Sequence, residues 1–435
     1  MRAFASFFLL WLVNCGCAPI GAPPESGGEF NNTTDPTNQG ASYIGSAACS
    51  ACHTSIAERH QLHGHSHILN KVEGNAPSYP DLATRAGVSN PPTGFEWSDI
   101  AYVIGGYIRK AAFVRGATGI LTTGEGGAPA QYNLAFPPNG TDAGFADYEP
   151  ATAPALYDFS CFQCHTTGPQ PSSSLHQDNQ PGILGTWVED GVQCEACHGP
   201  GSNHVPDPHA RDIYIGSSAS NCGKCHSRDG EPSVIQATDG FVANYQQWSE
   251  LKASGGHADF SCVTCHDPHS GTNYDRTNAI RNECTACHTS QTMAIHDGFT
   301  FVRGDYSEEL SCVSCHMPFA TRSAASASAA TVGEVGRLGD TRTHIFRINT
   351  EPNDYNLFFA SDGTAVAKDD QDRAAVTLDF ACFRCHNGIG NAGEIDSLEL
   401  AAGVASNMHA IPRPGLKAML KKRVKRRTDL QRSFE

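Results

Sequence analysis

Large apolar side chains are scarce in this sequence. Leu, Ile, Val and Phe together account for 80 of 435 residues, tryptophan for 4 and methionine for 5. A formal charge of −15 accompanies that scarcity. Such a combination ordinarily belongs to chains that cannot bury enough surface to fold. Long hydrophobic runs are also missing, and beyond the first residues no stretch is long and apolar enough to span a bilayer. Unpatterned cysteine is absent too, since after residue 17 every cysteine falls into one spacing. If the chain folds, something other than side chains must supply part of its core.

Cysteine and histidine are what the sequence has instead. Eighteen cysteines are too many for an ordinary cytosolic enzyme. Sixteen of them form eight C-x-x-C pairs, each followed at once by histidine. In chain order these are Cys49–Cys52–His53, Cys161–Cys164–His165, Cys194–Cys197–His198 and Cys222–Cys225–His226. Then follow Cys262–Cys265–His266, Cys284–Cys287–His288, Cys312–Cys315–His316 and Cys382–Cys385–His386. Two thiols three positions apart sit on one helical turn, where each can form a thioether with a haem vinyl group. The next residue then projects toward the iron as its proximal ligand. Zinc ribbons and thiol–disulfide exchange use the same cysteine spacing, but neither needs a histidine after every pair. The pattern predicts eight covalent haems c, whose rigid apolar plates would also complete the core.

The N-terminus carries Arg2, an apolar run over residues 3–13, and then Asn14-Cys15-Gly16-Cys17. One positive charge before a short apolar stretch reads as a secretory signal. It is similar to a lipoprotein signal in two registers, with Cys15 slightly favoured over Cys17 as the lipidated residue. Export to the periplasm, or to the outer membrane and cell surface as a lipoprotein, is expected. Residues 18–42, rich in Pro, Gly, Asn, Thr and Ser, read as a flexible tether.

Successive motifs begin at residues 49, 161, 194, 222, 262, 284, 312 and 382, so the repeat has no fixed period. Residues 43–155 form a first haem region, residues 156–320 a dense six-haem block, residues 321–413 a last haem region and residues 414–435 a basic tail. That tail carries eight Lys or Arg and two acids, and it could meet propionates, an acidic partner or anionic lipid. The expected fold is mainly α, with much irregular loop structure wrapped around stacked haems. Aromatic and β-branched residues at 97–114 predict a small β-rich insert between the first and second motifs. A Ser/Ala-rich link occupies residues 323–330.

Function turns on the sixth iron ligand, because a haem with two histidines exchanges electrons whereas an open one can also bind a small molecule. Twelve histidines lie outside the motifs, enough to close every iron without requiring it. His204, His257, His269, His296, His344 and His409 are distal candidates. The cluster His60, His63, His65 and His67 offers more histidines than one haem can use, with His67 and His63 as first choices. His176 and His209 read as loop residues.

Three stretches carry a family resemblance: Cys-Glu-Ala-Cys-His-Gly-Pro-Gly with His204 following, Cys265-His266-Asp267-Pro268-His269, and Thr343-His344-Ile345-Phe346-Arg347. The chain resembles multihaem c-type cytochromes of the cytochrome c-554 group over most of residues 43–412. That resemblance implies bis-histidine haems in closely spaced pairs and an electron-transfer role. The leading expectation is an electron carrier rather than an enzyme. Its partners would be other redox proteins, cytochromes or quinol-linked donors, and an extracellular acceptor, with no role for nucleic acid. The alternatives are an octahaem oxidoreductase of small nitrogen or sulfur compounds with one open haem, or a subunit of an extracellular cytochrome filament.

Overall fold

The computed structural model describes residues 31–148, 156–208, 213–228, 232–324 and 335–410. Cys15 and Cys17, the first part of the tether, most of the Ser/Ala-rich link, the basic tail and His209 lie outside the described residues.

Helix does not dominate. The longest helices, Thr54–Gln61 and Leu398–Ala405, have eight residues each, and most others are single turns. Each motif needs only one such turn, and the chain then leaves it for a loop. In the first motif the N–H of His53 donates to the Cys49 carbonyl at 2.9 Å and that of Cys52 to the same carbonyl at 3.2 Å. The same bonding recurs at Cys222–His226, Cys262–His266, Cys284–His288 and Cys382–His386. Both thiols and the imidazole are thereby held on one turn. No helix of the described residues is long and apolar enough to cross a membrane.

The largest regular element is the sheet of the insert. A short strand β1 (Asn31–Asn32) pairs in parallel with Ile213–Tyr214. The sheet itself comprises β2 (Leu69–Lys71), β3 (Tyr102–Gly105), β4 (Lys110–Arg115), β5 (Gly119–Ile120), β6 (Gln131–Asn133) and β7 (Gly144–Ala146). Its order is β2-β3-β4-β6-β7, with β5 on the end of β4, and every pairing is antiparallel. The β3–β4 connection turns at Gly105, φ 74°, where a Cβ would lie 2.5 Å from the Lys110 carbonyl, so glycine is needed there.

Alternation divides the strands between two small cores. Tyr102, Val114, Ile104 and Ile120 pack with Tyr157, Phe162, Trp187 and Cys161, which places one face of the sheet against the second motif. Val103, Ala111 and Phe113 pack on the other side with Val72, Val88 and Ile100. The insert therefore walls the second motif rather than lying loose between two haem regions.

Among the described residues apolar packing is divided among five separate clusters, as the shortage of large apolar residues leads one to expect. Between them runs a cavity of about 2280 Å³ that reaches the second to seventh motifs.

Residues 31–42, expected to belong to a tether, are pinned to the body. Asn38 is only 4% exposed. Its Nδ2 donates to the carbonyls of His198 and Pro200, each at 2.9 Å, and its Oδ1 accepts the Tyr214 N–H at 2.8 Å. Gly199, φ 69°, lets this segment approach, since a Cβ there would meet the Pro36 carbonyl at 2.1 Å. The attachment is made by polar side chains and backbone, so it leaves no hydrophobic period to read.

Candidate haem sites

None of the sixteen motif cysteines forms a disulfide. Seven of the eight motif histidines face a second histidine. The ring-centre separations are 6.4 Å for His53–His204, 6.1 Å for His226–His65, 6.2 Å for His198–His269 and 6.1 Å for His266–His344. They are 5.8 Å for His288–His257, 5.9 Å for His316–His409 and 6.0 Å for His386–His296. Two coaxial iron–nitrogen bonds of ~2.0 Å, plus ~1.1 Å from each nitrogen to its ring centre, require a separation of ~6.2 Å. Interplanar angles run from 4° to 71°, which is compatible because rotation about that axis leaves both bonds intact. These residues fit haem at seven motifs.

The hydrogen bonds on the far side of several rings support the same fit. Nδ1 of His198, His316, His386 and His409 lies 2.9, 2.9, 2.5 and 2.9 Å from the carbonyls of Tyr214, Phe346, Gly393 and Thr292. A carbonyl only accepts, so each Nδ1 carries the proton and leaves the Nε2 lone pair for metal. The Asp267 carboxylate does the same for His269 at 2.9 Å. Burial pushes His296 and His165 down to about 4 and His344 to about 3, which favours the neutral imidazole that ligation requires at these three.

Within the histidine cluster the structure departs from the sequence expectation. His65, not His67 or His63, faces His226. His67 donates Nε2–H to the Gln61 carbonyl at 2.8 Å and stacks on Tyr107, so the nitrogen needed for iron is committed elsewhere. His63 accepts the His65 N–H at Nδ1, 2.9 Å away, which puts its own proton on Nε2. His60 turns Nδ1 to Ser66 Oγ at 2.9 Å and faces no motif histidine. Four histidines within eight residues carry no local signal that separates these roles. His176 binds the Ile183 carbonyl through Nδ1 at 2.9 Å and belongs to none of the seven facing pairs.

The second motif differs from the other seven. Among the described residues His165 faces no histidine. Its ring neighbour is the buried Tyr157, whose hydroxyl lies 3.2 Å from Nδ1. That contact engages Nδ1, so Tyr157 would fix the imidazole while Nε2 held a haem iron. Nothing in the motif itself marks this difference.

Proximity between cysteines gives the order of the motifs in space. Cys49 lies close to Cys194, Cys164 to Cys225 and Cys222 to Cys262. Cys197 also neighbours Cys222, Cys284 neighbours Cys265 and Cys312, and Cys382 neighbours Cys315. The motifs thus run first, third, fourth, fifth, sixth, seventh, eighth. The second branches from the fourth.

Comparison with known proteins follows the same lines. The family model described as cytochrome c554 and c-prime matches residues 146–199, the segment holding the second and third motifs. The dissimilatory sulfite reductase MccA of Wolinella succinogenes is 25% identical over 245 residues, 45% of this chain and 33% of that protein. The multiheme cytochrome MtrA of Shewanella baltica is 26% identical over 179 residues, 37% of this chain and 45% of that protein. The matches therefore span a third to just under half of these relatives' lengths. The solved structure of the octaheme sulfite reductase MccA from Wolinella succinogenes superposes with a TM-score of 0.54 at 17% identity. It covers 86% of this chain and 72% of that one, which shows a shared fold.

Proposed function

The chain is a multihaem c-type cytochrome, and on that premise we propose that it binds eight haems c, seven closed by two histidines and one with an open distal face. The attachment residues are the sixteen motif cysteines, with the eight motif histidines as proximal ligands. His204, His65, His269, His344, His257, His409 and His296 complete seven of the irons. The haem held by Cys161, Cys164 and His165 is the open one.

Electron transfer is the general activity, with other redox proteins as partners. The specific role is that of a conduit serving a reduction site for a small inorganic molecule at the second motif. The observation that carries this reading is His165, which alone among the motif histidines faces no second histidine among the described residues. Bound haem supplies one-electron redox chemistry and, at an open iron, a ligand position. This chain's own residues hold the His165 ring through Tyr157 and wall the site with the sheet of β2–β7. The name of the sulfite reductase relative makes sulfur oxyanions the first ligands to try.

A pure carrier is the second reading, favoured by the seven facing pairs. Electron paramagnetic resonance of the oxidised holoprotein separates the two. One high-spin haem per chain, converted to low spin by cyanide or sulfite, supports the reduction site, and eight low-spin haems with no ligand response exclude it. Export and a lipid anchor at Cys15 or Cys17 are part of the proposal, and mass spectrometry of the mature N-terminus tests both.

A further inference from the structure

Opposite charges are built into the two ends of the row of motifs. At one end the helix Ser46–Ser50 of the first motif packs on the helix Cys194–His198 of the third. Glu195, inside the third motif, is 1% exposed. It accepts N–H groups from Ile44 at 3.1 Å, Gly45 at 2.8 Å and Gly201 at 2.7 Å. Glu189 accepts the Ser46 N–H at 2.9 Å and its hydroxyl at 3.0 Å. All of these donors are neutral, so none of them adds a compensating positive charge beside the two motifs.

The seventh and eighth motifs are joined by cations. Arg384, inside the eighth motif, has a side chain only 3% exposed and grips both oxygens of Glu308 at 2.9 and 3.1 Å. It also donates to the carbonyl of Ser314, inside the seventh motif, at 3.0 Å. Arg342 binds Glu308 at 2.8 Å and the carbonyls of Val313 and Met317 at 3.0 and 2.9 Å. Arg303 donates to the Arg384 carbonyl at 3.0 Å. Three guanidinium groups against one carboxylate leave two positive charges. The neighbouring Arg337 and Asp379, and Arg109 and Asp340, are opposite in sign.

Reduction adds one electron to a haem, so a fixed positive charge nearby favours the reduced form and a carboxylate opposes it. Resting on the octahaem reading above, we infer that the haems of the first and third motifs form the low-potential end and those of the seventh and eighth the high-potential end. An electron leaving a ferrous haem at the first motif reduces a ferric haem at the eighth, downhill, with no atom transferred. The branch to the second motif leaves this path at the fourth.

Potentiometric titration of the holoprotein, followed by magnetic circular dichroism, tests the gradient in three variants. Arg384→Gln and the less buried Arg303→Gln each lower the midpoints of two haems. The reduced-to-oxidised ratio at fixed potential changes about tenfold for Arg384→Gln, which is ~59 mV for a one-electron couple. Glu195→Gln raises the midpoints at the other end. Haem content is read independently by intact mass. Fewer than eight haems in the unsubstituted protein defeats the octahaem reading itself. Eight haems with midpoints unmoved or moved the opposite way, as when propionates already neutralise the arginines, overturns the gradient.

Discussion

Replacing His65 with alanine is the sharpest test of the ligand geometry. The His65 and His226 rings stand 6.1 Å apart, close to the ~6.2 Å that two coaxial iron–nitrogen bonds demand. Alanine leaves the haem of the fourth motif with one axial histidine. On the proposed reading of eight haems with the second-motif haem open, the high-spin share should rise from about one-eighth to about one-quarter of the haem. Quantitative electron paramagnetic resonance of the oxidised protein reads that share directly. His67→Ala is the matched control, because it removes one hydrogen bond to Gln61 and the stacking on Tyr107. It should cost about 1 kcal/mol of stability and leave the spin state alone. A gain in high-spin haem on His67→Ala or His63→Ala, with none on His65→Ala, would refute the tautomer argument.

Other residues give independent tests. Glu195→Ala strands the N–H groups of Ile44, Gly45 and Gly201, so it should cost about 3 kcal/mol or more. Hydrogen exchange at those three amides should speed up together, and unchanged protection would show that the N-terminal segment is held by other means. Tyr157→Phe removes the partner of His165 Nδ1 and should weaken cyanide binding at the open haem about tenfold or more, measured by optical titration. Glu250 is fully enclosed, and burial pushes its carboxyl up to about 7, against bonds from His344 and Thr343 that pull it down. Its folded pKa exceeds the unfolded value, so stability is greatest below about pH 4.5 and falls until about pH 7, by at most ~3 kcal/mol. Thermal melts of Glu250→Gln across that window should be flatter than those of the parent protein.

How much of this was legible in the chain follows from the range of each interaction. Thiols three positions apart with histidine next are a local pattern set by one helical turn, so Cys49 to His386 could be read residue by residue. The β-rich insert was legible too, because alternation in residues such as Tyr102 to Ile104 is also local. The pinning of residues 31–42 was not, since Asn38 is tied down by backbone carbonyls more than 150 residues away. The seven facing pairs join histidines 31 to 161 residues apart, and no spacing rule links such positions. Among His60, His63, His65 and His67, identical side chains were sorted only by which ring nitrogen the surrounding backbone had already engaged. The sequence by itself determined where the eight C-x-x-C-H motifs stand. Tertiary structure alone decided which second histidine meets each proximal one, and among the described residues it left His165 facing none, because axial pairing needs two rings brought to one line from distant parts of the fold.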